Sequence, residues 1–198
     1  MTRFWIIRHG ALVEDARNRC YGSLDFSLSD TGRAQMARAA EYLATEPISA
    51  IYTSSLNRAF ESARIVAART GCAIHATPEL SEMNFGDLEG LSYDEIAARH
   101  PDLYRQWMEF PTETLFPNGE SFLQMRDRVL RAFDRIRHQH EGETIAFVTH
   151  AGVIRILIAW ALNMPDNCLF RLAQEHAALN LLTLTDGLPI VQLLNHRA

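Results

Sequence analysis

The stretch that decides the fold is FWIIRHG, residues 4–10. Its first four residues are bulky and apolar, and such a short run predicts a buried strand rather than a helix. The strand leads directly into Arg8, His9 and Gly10. A turn commonly uses Gly, Asn, Asp or Pro, so a turn alone does not account for a guanidinium beside an imidazole. We therefore expect the strand to end at a functional site.

The composition predicts one globular domain covering residues 1–198, because 47% of the 198 residues are hydrophobic and can fill a sizeable core. The sequence contains no run of about 18 apolar residues, so it predicts no membrane span. Arg8 and His9 interrupt the first apolar run too early for a signal peptide. The three cysteines (Cys20, Cys72 and Cys168) form no CxxC pair. We expect reduced thiols in a cytoplasmic protein, without a disulfide framework or a metal site.

The formal net charge of −5 argues against a nucleic acid as partner, because proteins that bind the phosphate backbone usually carry a basic surface. It is compatible with a small anionic substrate in a local basic pocket. Neither a membrane partner nor a cofactor is indicated. The sequence leaves the oligomeric state open, with a homodimer among the alternatives.

The order of elements predicts an α/β fold: a three-layer sandwich with a mostly parallel central sheet and helices on both faces. Strands are expected at 4–7, 49–55, 72–80 and 144–150, alternating with helices at 29–43, 56–68, 122–136 and 153–162. Asp186-Gly187 lies between two apolar runs and predicts an antiparallel C-terminal hairpin. Residues 92–118 contain a capping-box pattern and several prolines, and predict a small helical insertion over the site.

Polar residues recur where the predicted strands end. Arg8 and His9 end the first strand, Arg58 follows the second on the first turn of a helix, and His150 ends the strand before Ala151. The carboxyl ends of parallel strands meet at one edge of a sheet, where ligands bind. Two guanidinium groups and a helix start suit a phosphoryl group, and a neutral imidazole can attack its phosphorus.

Four segments carry a family resemblance: IIRHG (6–10), YTSSLNRAFESA (52–63), ELSEMNFGDLEG (79–90) and VTHAGVIR (148–155). In this order they resemble the signatures of the histidine phosphatase superfamily, the phosphoglycerate-mutase-like proteins. The resemblance implies a metal-independent phosphomonoesterase in which His9 becomes phosphohistidine. It also implies that Arg8, Arg58, His150 and the helix start at Ala151 hold the phosphoryl oxygens. Glu82 would be the proton donor, which requires its protonated form near neutral pH, favoured by burial or by the phosphate itself.

Within the superfamily, the segments at 20–32, 79–90, 116–129 and 193–198 resemble the α-ribazole phosphatases of cobalamin nucleotide-loop assembly. That resemblance implies release of the 5′-phosphate from α-ribazole 5′-phosphate. The alternatives are a broad-specificity phosphatase and a phosphoglycerate-mutase-type phosphotransferase, although mutases of this family usually have a longer insertion. A non-enzymatic module that binds phosphorylated ligands is disfavoured, because it has no use for a nucleophile and an acid together.

Several residues depart from the family pattern or keep more than one interpretation. Asp15 stands near where the family has an asparagine, and an aspartate facing phosphate would repel it, so we expect it to point elsewhere. The roles of Glu120 and Arg155 stay open. The aromatic residues of the insertion could stack on an aromatic base or pack in the core: Trp107, Phe110 and Phe116. The other histidines are assigned no role: His75, His100, His138, His140, His176 and His196.

Overall fold

A computed structural model describes all 198 residues, which form one six-stranded sheet with helices on both faces. The sheet order is β3-β2-β4-β1-β5-β6. Its strands are β1 Thr2–Arg8, β2 Ile48–Thr53, β3 Ala73–Ala76, β4 Thr144–Thr149, β5 Leu179–Thr185 and β6 Leu188–His196. The first four are parallel to one another, and β5 is antiparallel to β1 and to β6. The predicted three-layer α/β architecture with a C-terminal hairpin is confirmed.

The central strand β1 explains why four bulky apolar residues stand in a row. Phe4 and Ile6 belong to the core on one face of the sheet, whereas Trp5 and Ile7 belong to the core on the other. All four are at most 3% exposed. A strand covered by helices on both faces loses the apolar–polar alternation of a half-exposed strand.

Six α-helices cover the sheet: α1 Asp30–Tyr42, α2 Asn57–Thr70, α3 Tyr93–Arg99, α4 Pro101–Glu109, α5 Phe122–Gln139 and α6 Ala151–Leu162. Helices α1 and α2 pack together on the face of Trp5 and Ile7, and α5 and α6 pack on the opposite face. The apolar stripe of α5 lies in that second core, as its helical spacing predicts.

The helical insertion begins with a capping box. Ser92 accepts a hydrogen bond from the backbone of Glu95, whose carboxylate accepts one from the backbone of Ser92. Helix α3 ends before Pro101, as predicted, and α4 starts at that proline, because proline is tolerated in the first helical turn. Both helices pack beside the α5–α6 core through Ile96 and Trp107.

One predicted strand is shorter than the sequence suggests. The strand expected over 72–80 is only the four-residue edge strand β3, followed by a short 3-10 helix at Pro78–Leu80. By contrast, the hairpin turn forms where expected, with φ of 52° at Asp186 and 82° at Gly187. Positive φ at both positions is the geometry of the tight hairpin turns that match the sheet twist. None of the helices combines the length and apolar character needed to cross a membrane.

Candidate active site

The pairing of β1 with β4 brings the two predicted histidines together. These parallel strands pair Arg8 with Thr149, and the backbone N–H of His9 donates to the Thr149 carbonyl over 2.9 Å. The next residues are therefore His9 and His150, whose ring centroids lie 5.3 Å apart. Both residues are at most 2% exposed. The sheet thus joins two imidazoles that are 141 positions apart in sequence, since 150 − 9 = 141.

The glycine after His9 allows a close packing contact. A Cβ built on Gly10 would lie 2.4 Å from the carbonyl oxygen of Gly32, at the start of α1. The Gly10 N–H also donates to the Ser62 hydroxyl of α2 over 3.2 Å. Gly10 therefore lets the first turn of α1 press against the strand end and hold the histidine beside it.

The position of the proton on the His9 ring follows from the single hydrogen bond that the ring makes. Its Nδ1 lies 2.8 Å from the Gly10 carbonyl, which can only accept, so Nδ1 carries the ring proton and Nε2 keeps a free lone pair. Burial lowers the pKa of His9 well below its ordinary value, and the nearby His150, Arg8 and Arg58 lower it further. The imidazole is therefore neutral at pH 7 and able to act as a nucleophile.

His150 is also a neutral imidazole, with one nitrogen unused. Its Nε2 lies 2.7 Å from the Ser54 hydroxyl, while its buried Nδ1 has no partner. Burial lowers the pKa of His150 well below its ordinary value, followed by the charges of Arg58 and Arg8. Ser54 comes from the end of β2, which pairs with β4, so the same sheet edge supplies this contact.

Arg58 is the largest fully buried side chain of the protein. Its NH1 donates to the Leu24 carbonyl over 3.0 Å and pairs with Asp25 over 3.2 Å, and its NH2 donates to the Gly22 carbonyl. Its Nε is buried without a partner. One partly exposed carboxylate and two carbonyls hold the guanidinium in place and leave a donor free for an anion.

Arg8 adds a second guanidinium. Its NH1 donates to the Gln174 carbonyl, and its Nε is buried without a partner. Burial lowers the pKa of Arg8, while attraction to Tyr21 and Glu82 opposes that shift. Arginine remains protonated in proteins, so the site contains two permanent positive charges beside two neutral imidazoles. This is an anion-binding arrangement.

Glu82 lies at the N-terminus of α6, beside His150 and Ala151. One of its carboxylate oxygens accepts from the backbone N–H of Gly152 over 3.1 Å. A Cβ on Gly152 would lie 2.3 Å from the other oxygen, so only glycine leaves room for the carboxyl group there. Thus the structure brings together the six residues that the sequence predicts for the site: His9, Arg8, Arg58, His150, Ala151 and Glu82.

A mostly apolar cavity of about 120 Å³ opens beside Glu82. Arg155 is its one positive charge, and that guanidinium lies 5.3 Å from the ring centroid of Phe170 and donates to the Leu172 carbonyl. Trp107 lines the cavity, whereas Phe116 packs behind it and Phe110 is exposed. Its wall is formed by Glu82, Met83, Phe85, Trp107, Pro111, Phe122, Met125, Gly152, Arg155, Leu169 and Phe170.

Some residues near the site were not found from the sequence. The ring of His176 lies 5.5 Å from that of His9, and its Nε2 is buried without a partner. Burial and the charge of Arg8 lower the pKa of His176 to about 4. No motif surrounds His176, so only the placement of β5 beside β1 could reveal it. Asp25, which pairs with Arg58, was also not predicted as a site residue, although it lies in the resembling segment 20–32.

Asp15 and His140, which the sequence analysis did not assign to the site, lie outside this cluster. The Asp15 side chain is exposed, and its carbonyl accepts from Arg19. His140 bonds Tyr52 and Glu143 on the outer part of the sheet. No group of three or more His, Cys, Asp or Glu side chains has the arrangement to hold a metal ion.

Comparison with known proteins agrees with this geometry. The profile of the histidine phosphatase superfamily (branch 1) matches residues 4–197. Phosphoglycerate mutase-like protein 4 of Arabidopsis thaliana is 41% identical over 77% of the chain and 67% of its own length. The adenosylcobalamin/α-ribazole phosphatase of Salmonella typhimurium is 28% identical over 99% of the chain and 97% of its own length.

The fold also matches a solved structure. A putative α-ribazole-5′-P phosphatase from Escherichia coli superposes with a TM-score of 0.92 at 26% identity, covering 100% of this chain and 97% of that one. The chain spans about half the length of mycobacterial relatives that it also matches.

The lowered pKa values of the buried histidines predict that the free energy of unfolding decreases in acid. Because the pKa of His176 is about 4 in the native state and about 6.5 when unfolded, the unfolded state binds the extra proton between these values, and stability falls as pH falls. His176→Asn should therefore reduce the stability lost between pH 7.5 and 5.5 by about 1 kcal/mol. Urea unfolding at both pH values measures this difference. The exposed His100→Asn serves as control, and equal pH dependence in both variants would contradict the prediction.

Proposed function

The chain belongs to the histidine phosphatase superfamily, and we propose that it hydrolyses a phosphomonoester through a phosphohistidine formed on His9. The observation that carries this proposal is the buried cluster in which a neutral His9, with Nε2 free, lies beside two arginines and an acid. A site that only bound phosphate would need the cations but not the nucleophile.

In the first step, Nε2 of His9 attacks phosphorus with its lone pair and forms a P–N bond. The P–O bond to the alcohol breaks, and its electron pair stays on the leaving oxygen. Protonated Glu82 gives its proton to that oxygen, so a neutral alcohol departs. Arg8 and Arg58 stabilise the charge on the phosphoryl oxygens throughout.

In the second step, water attacks the phosphohistidine and Glu82, now a carboxylate, accepts a proton from it. The P–N bond breaks, its electron pair returns to Nε2, and inorganic phosphate leaves. His150 supports the phosphoryl group in both steps: when the Ser54 hydroxyl donates to Nε2, the unpartnered Nδ1 carries the proton and donates to a phosphoryl oxygen. Ala151 contributes the start of α6.

The cavity beside Glu82 favours a substrate whose alcohol carries an aromatic group. An apolar cavity of 150 Å³ accepts benzene, so about 120 Å³ beside an open site suits one ring or the edge of a bicyclic base. A compact zwitterionic alcohol would leave its charges against apolar walls, which costs free energy. We therefore propose α-ribazole 5′-phosphate as the substrate, in keeping with the names of two relatives.

A broad-specificity phosphatase is the alternative, because the cavity offers few polar groups that would select one substrate. A mutase acting on phosphoglycerates fits less well. Its substrate carboxylate would have to lie in the cavity with Arg155 as the single cation, next to the carboxyl group of Glu82. Interconversion of 2- and 3-phosphoglycerate, measured against phosphate release, separates the two activities.

The nucleophile assignment predicts the loss of a covalent intermediate. His9→Ala should abolish turnover and the acid-labile phosphoenzyme, because no other side chain occupies the position of Nε2. Alkaline quenching followed by intact mass measurement detects the intermediate. His100→Ala, at an exposed position, should still form it. Persistence of the same intermediate in His9→Ala would refute the assignment.

The acid assignment predicts a dependence on the leaving group. The alcohol of 2-phenylethyl phosphate is a poor leaving group that needs a proton, so Glu82→Gln should lower kcat/KM for this substrate by roughly 100-fold or more. The loss should be far smaller for p-nitrophenyl phosphate, since nitrophenolate leaves without a proton. Gly152→Ala should act in the same direction, because its Cβ would displace the carboxyl group. The ratio kcat/KM reports the first step alone. Equal losses on both substrates would contradict the acid role.

The substrate proposal predicts that the base contributes to recognition. Burying about 100 Å² of apolar surface is worth about 2.5 kcal/mol, so kcat/KM for α-ribazole 5′-phosphate should exceed that for ribose 5-phosphate by roughly 70-fold. Phe170→Ala should shrink this advantage without unfolding the protein, because Phe170 is 56% exposed. Phosphate release measures both substrates. Equal efficiency on the two would exclude a base-binding cavity and favour the broad-specificity alternative.

A further inference from the structure

Arg128 of α5 makes an unusual set of contacts with the segment that carries Glu82. Its NH1 donates to the carbonyls of Glu79 and Ser81, both over 2.7 Å, and its NH2 donates to the Glu82 carbonyl over 3.0 Å. The same guanidinium forms a two-pronged ion pair with Glu120. All five hydrogen bonds therefore converge on the acid-bearing segment or on one carboxylate.

Glu120 holds the other end of that segment. Its carboxylate accepts from the Asn84 N–H over 3.0 Å, and its own N–H donates to the Asn84 carbonyl over 2.9 Å. Arg128 and Glu120 thus bind the backbone on both sides of Glu82. The two side chains are only 19% and 18% exposed, so this pair is shielded from solvent more than an ordinary surface ion pair.

The Arg128–Glu120 pair fixes the position of Glu82, and an active-site acid needs a fixed position. Three carbonyls that point at one guanidinium fix the backbone orientation at residue 82, from which the carboxyl group reaches Gly152. A displacement of about 1 Å at a reacting group can cost roughly 100-fold in rate. A lysine would keep the charge but not the planar fork that reaches several oxygens at once.

We propose that Arg128 and Glu120 are positioning residues that hold Glu82 at the leaving-group oxygen. This inference rests on the proposed acid role of Glu82. Both residues bind the backbone of residues 79–84, through which they act on Glu82. The charge of Arg128 also acts on His150, and a lysine at this position would keep that charge. The proposal also gives a role to Glu120, which the sequence analysis left open.

Arg128→Lys tests the proposal through leaving-group selectivity. It should lower kcat/KM for 2-phenylethyl phosphate by about 10- to 100-fold and that for p-nitrophenyl phosphate by much less, because only the first substrate needs the acid. A general loss of structure would reduce both equally. Arg131 is an exposed arginine on the same helix, and Arg131→Lys is the matched control. It should leave kcat/KM unchanged for both substrates.

A double variant shows whether Arg128 acts through Glu82. In the Glu82→Gln background, Arg128→Lys should cause little further loss on 2-phenylethyl phosphate, since residues that act through one group are not additive. Glu120→Gln should reproduce the selectivity change of Arg128→Lys. Additive losses in the double variant, or equal losses on both substrates in Arg128→Lys, would overturn the positioning role.

The failure of this inference can be told apart from failure of the proposed function. If Glu82→Gln reduces both substrates equally, the acid role itself is wrong. If Glu82→Gln is selective while Arg128→Lys is not, the acid role stands and only the positioning role is lost. Unfolding in urea, run on each variant, identifies any variant whose losses come from instability, and Glu120→Gln then provides the second test.

Discussion

The structure depends on the parallel pairing of β1 with β4. Because the two strands pair Arg8 with Thr149, both end at the same level, and each is followed by a histidine. Helices on both faces bury the strands and prevent a shift of register, since a slip by one residue would exchange the residues facing the two cores. The distance between His9 and His150 is thus a consequence of how the whole sheet packs.

The same sheet edge concentrates positive charge away from water. Arg58 is fully buried, and Arg8, Arg58 and His150 each keep a buried side-chain nitrogen without a hydrogen-bond partner. Buried polar groups without partners are costly to the folded state. Burial lowers the pKa of His9 and of His150, and the nearby arginines lower both further, so the two imidazoles are neutral. A phosphoryl group that binds here would supply hydrogen-bond acceptors and negative charge, which would offset the cost of the buried positive charge and the unpartnered nitrogens.

Glu82, the proposed acid, and the cavity proposed for the substrate's alcohol lie next to each other at the start of α6. Gly152 leaves space for the carboxyl group of Glu82 at the start of α6, and the apolar cavity begins at that group. The helical insertion contributes Trp107 to the cavity wall, and α6 contributes Arg155. The proposed phosphate site therefore lies at the strand ends and the starts of the helices that follow them, whereas the cavity proposed for the alcohol is formed by helices and loops around it.

The sequence by itself determined the α/β fold, because apolar runs set the strands. It also predicted six site residues: the strand ends indicated Arg8, His9, Arg58, His150 and Ala151, whereas Glu82 came only from the family resemblance. The division into a single domain stays a prediction. Only the tertiary structure decided that His176 lies beside His9, that Asp25 holds Arg58, and that Arg128 binds the carbonyls around Glu82. These contacts join segments that are far apart in the chain, and no local sequence pattern indicates which of those segments meet. Their existence depends on the directions in which packed strands and helices place side chains, and a one-dimensional pattern does not contain those directions.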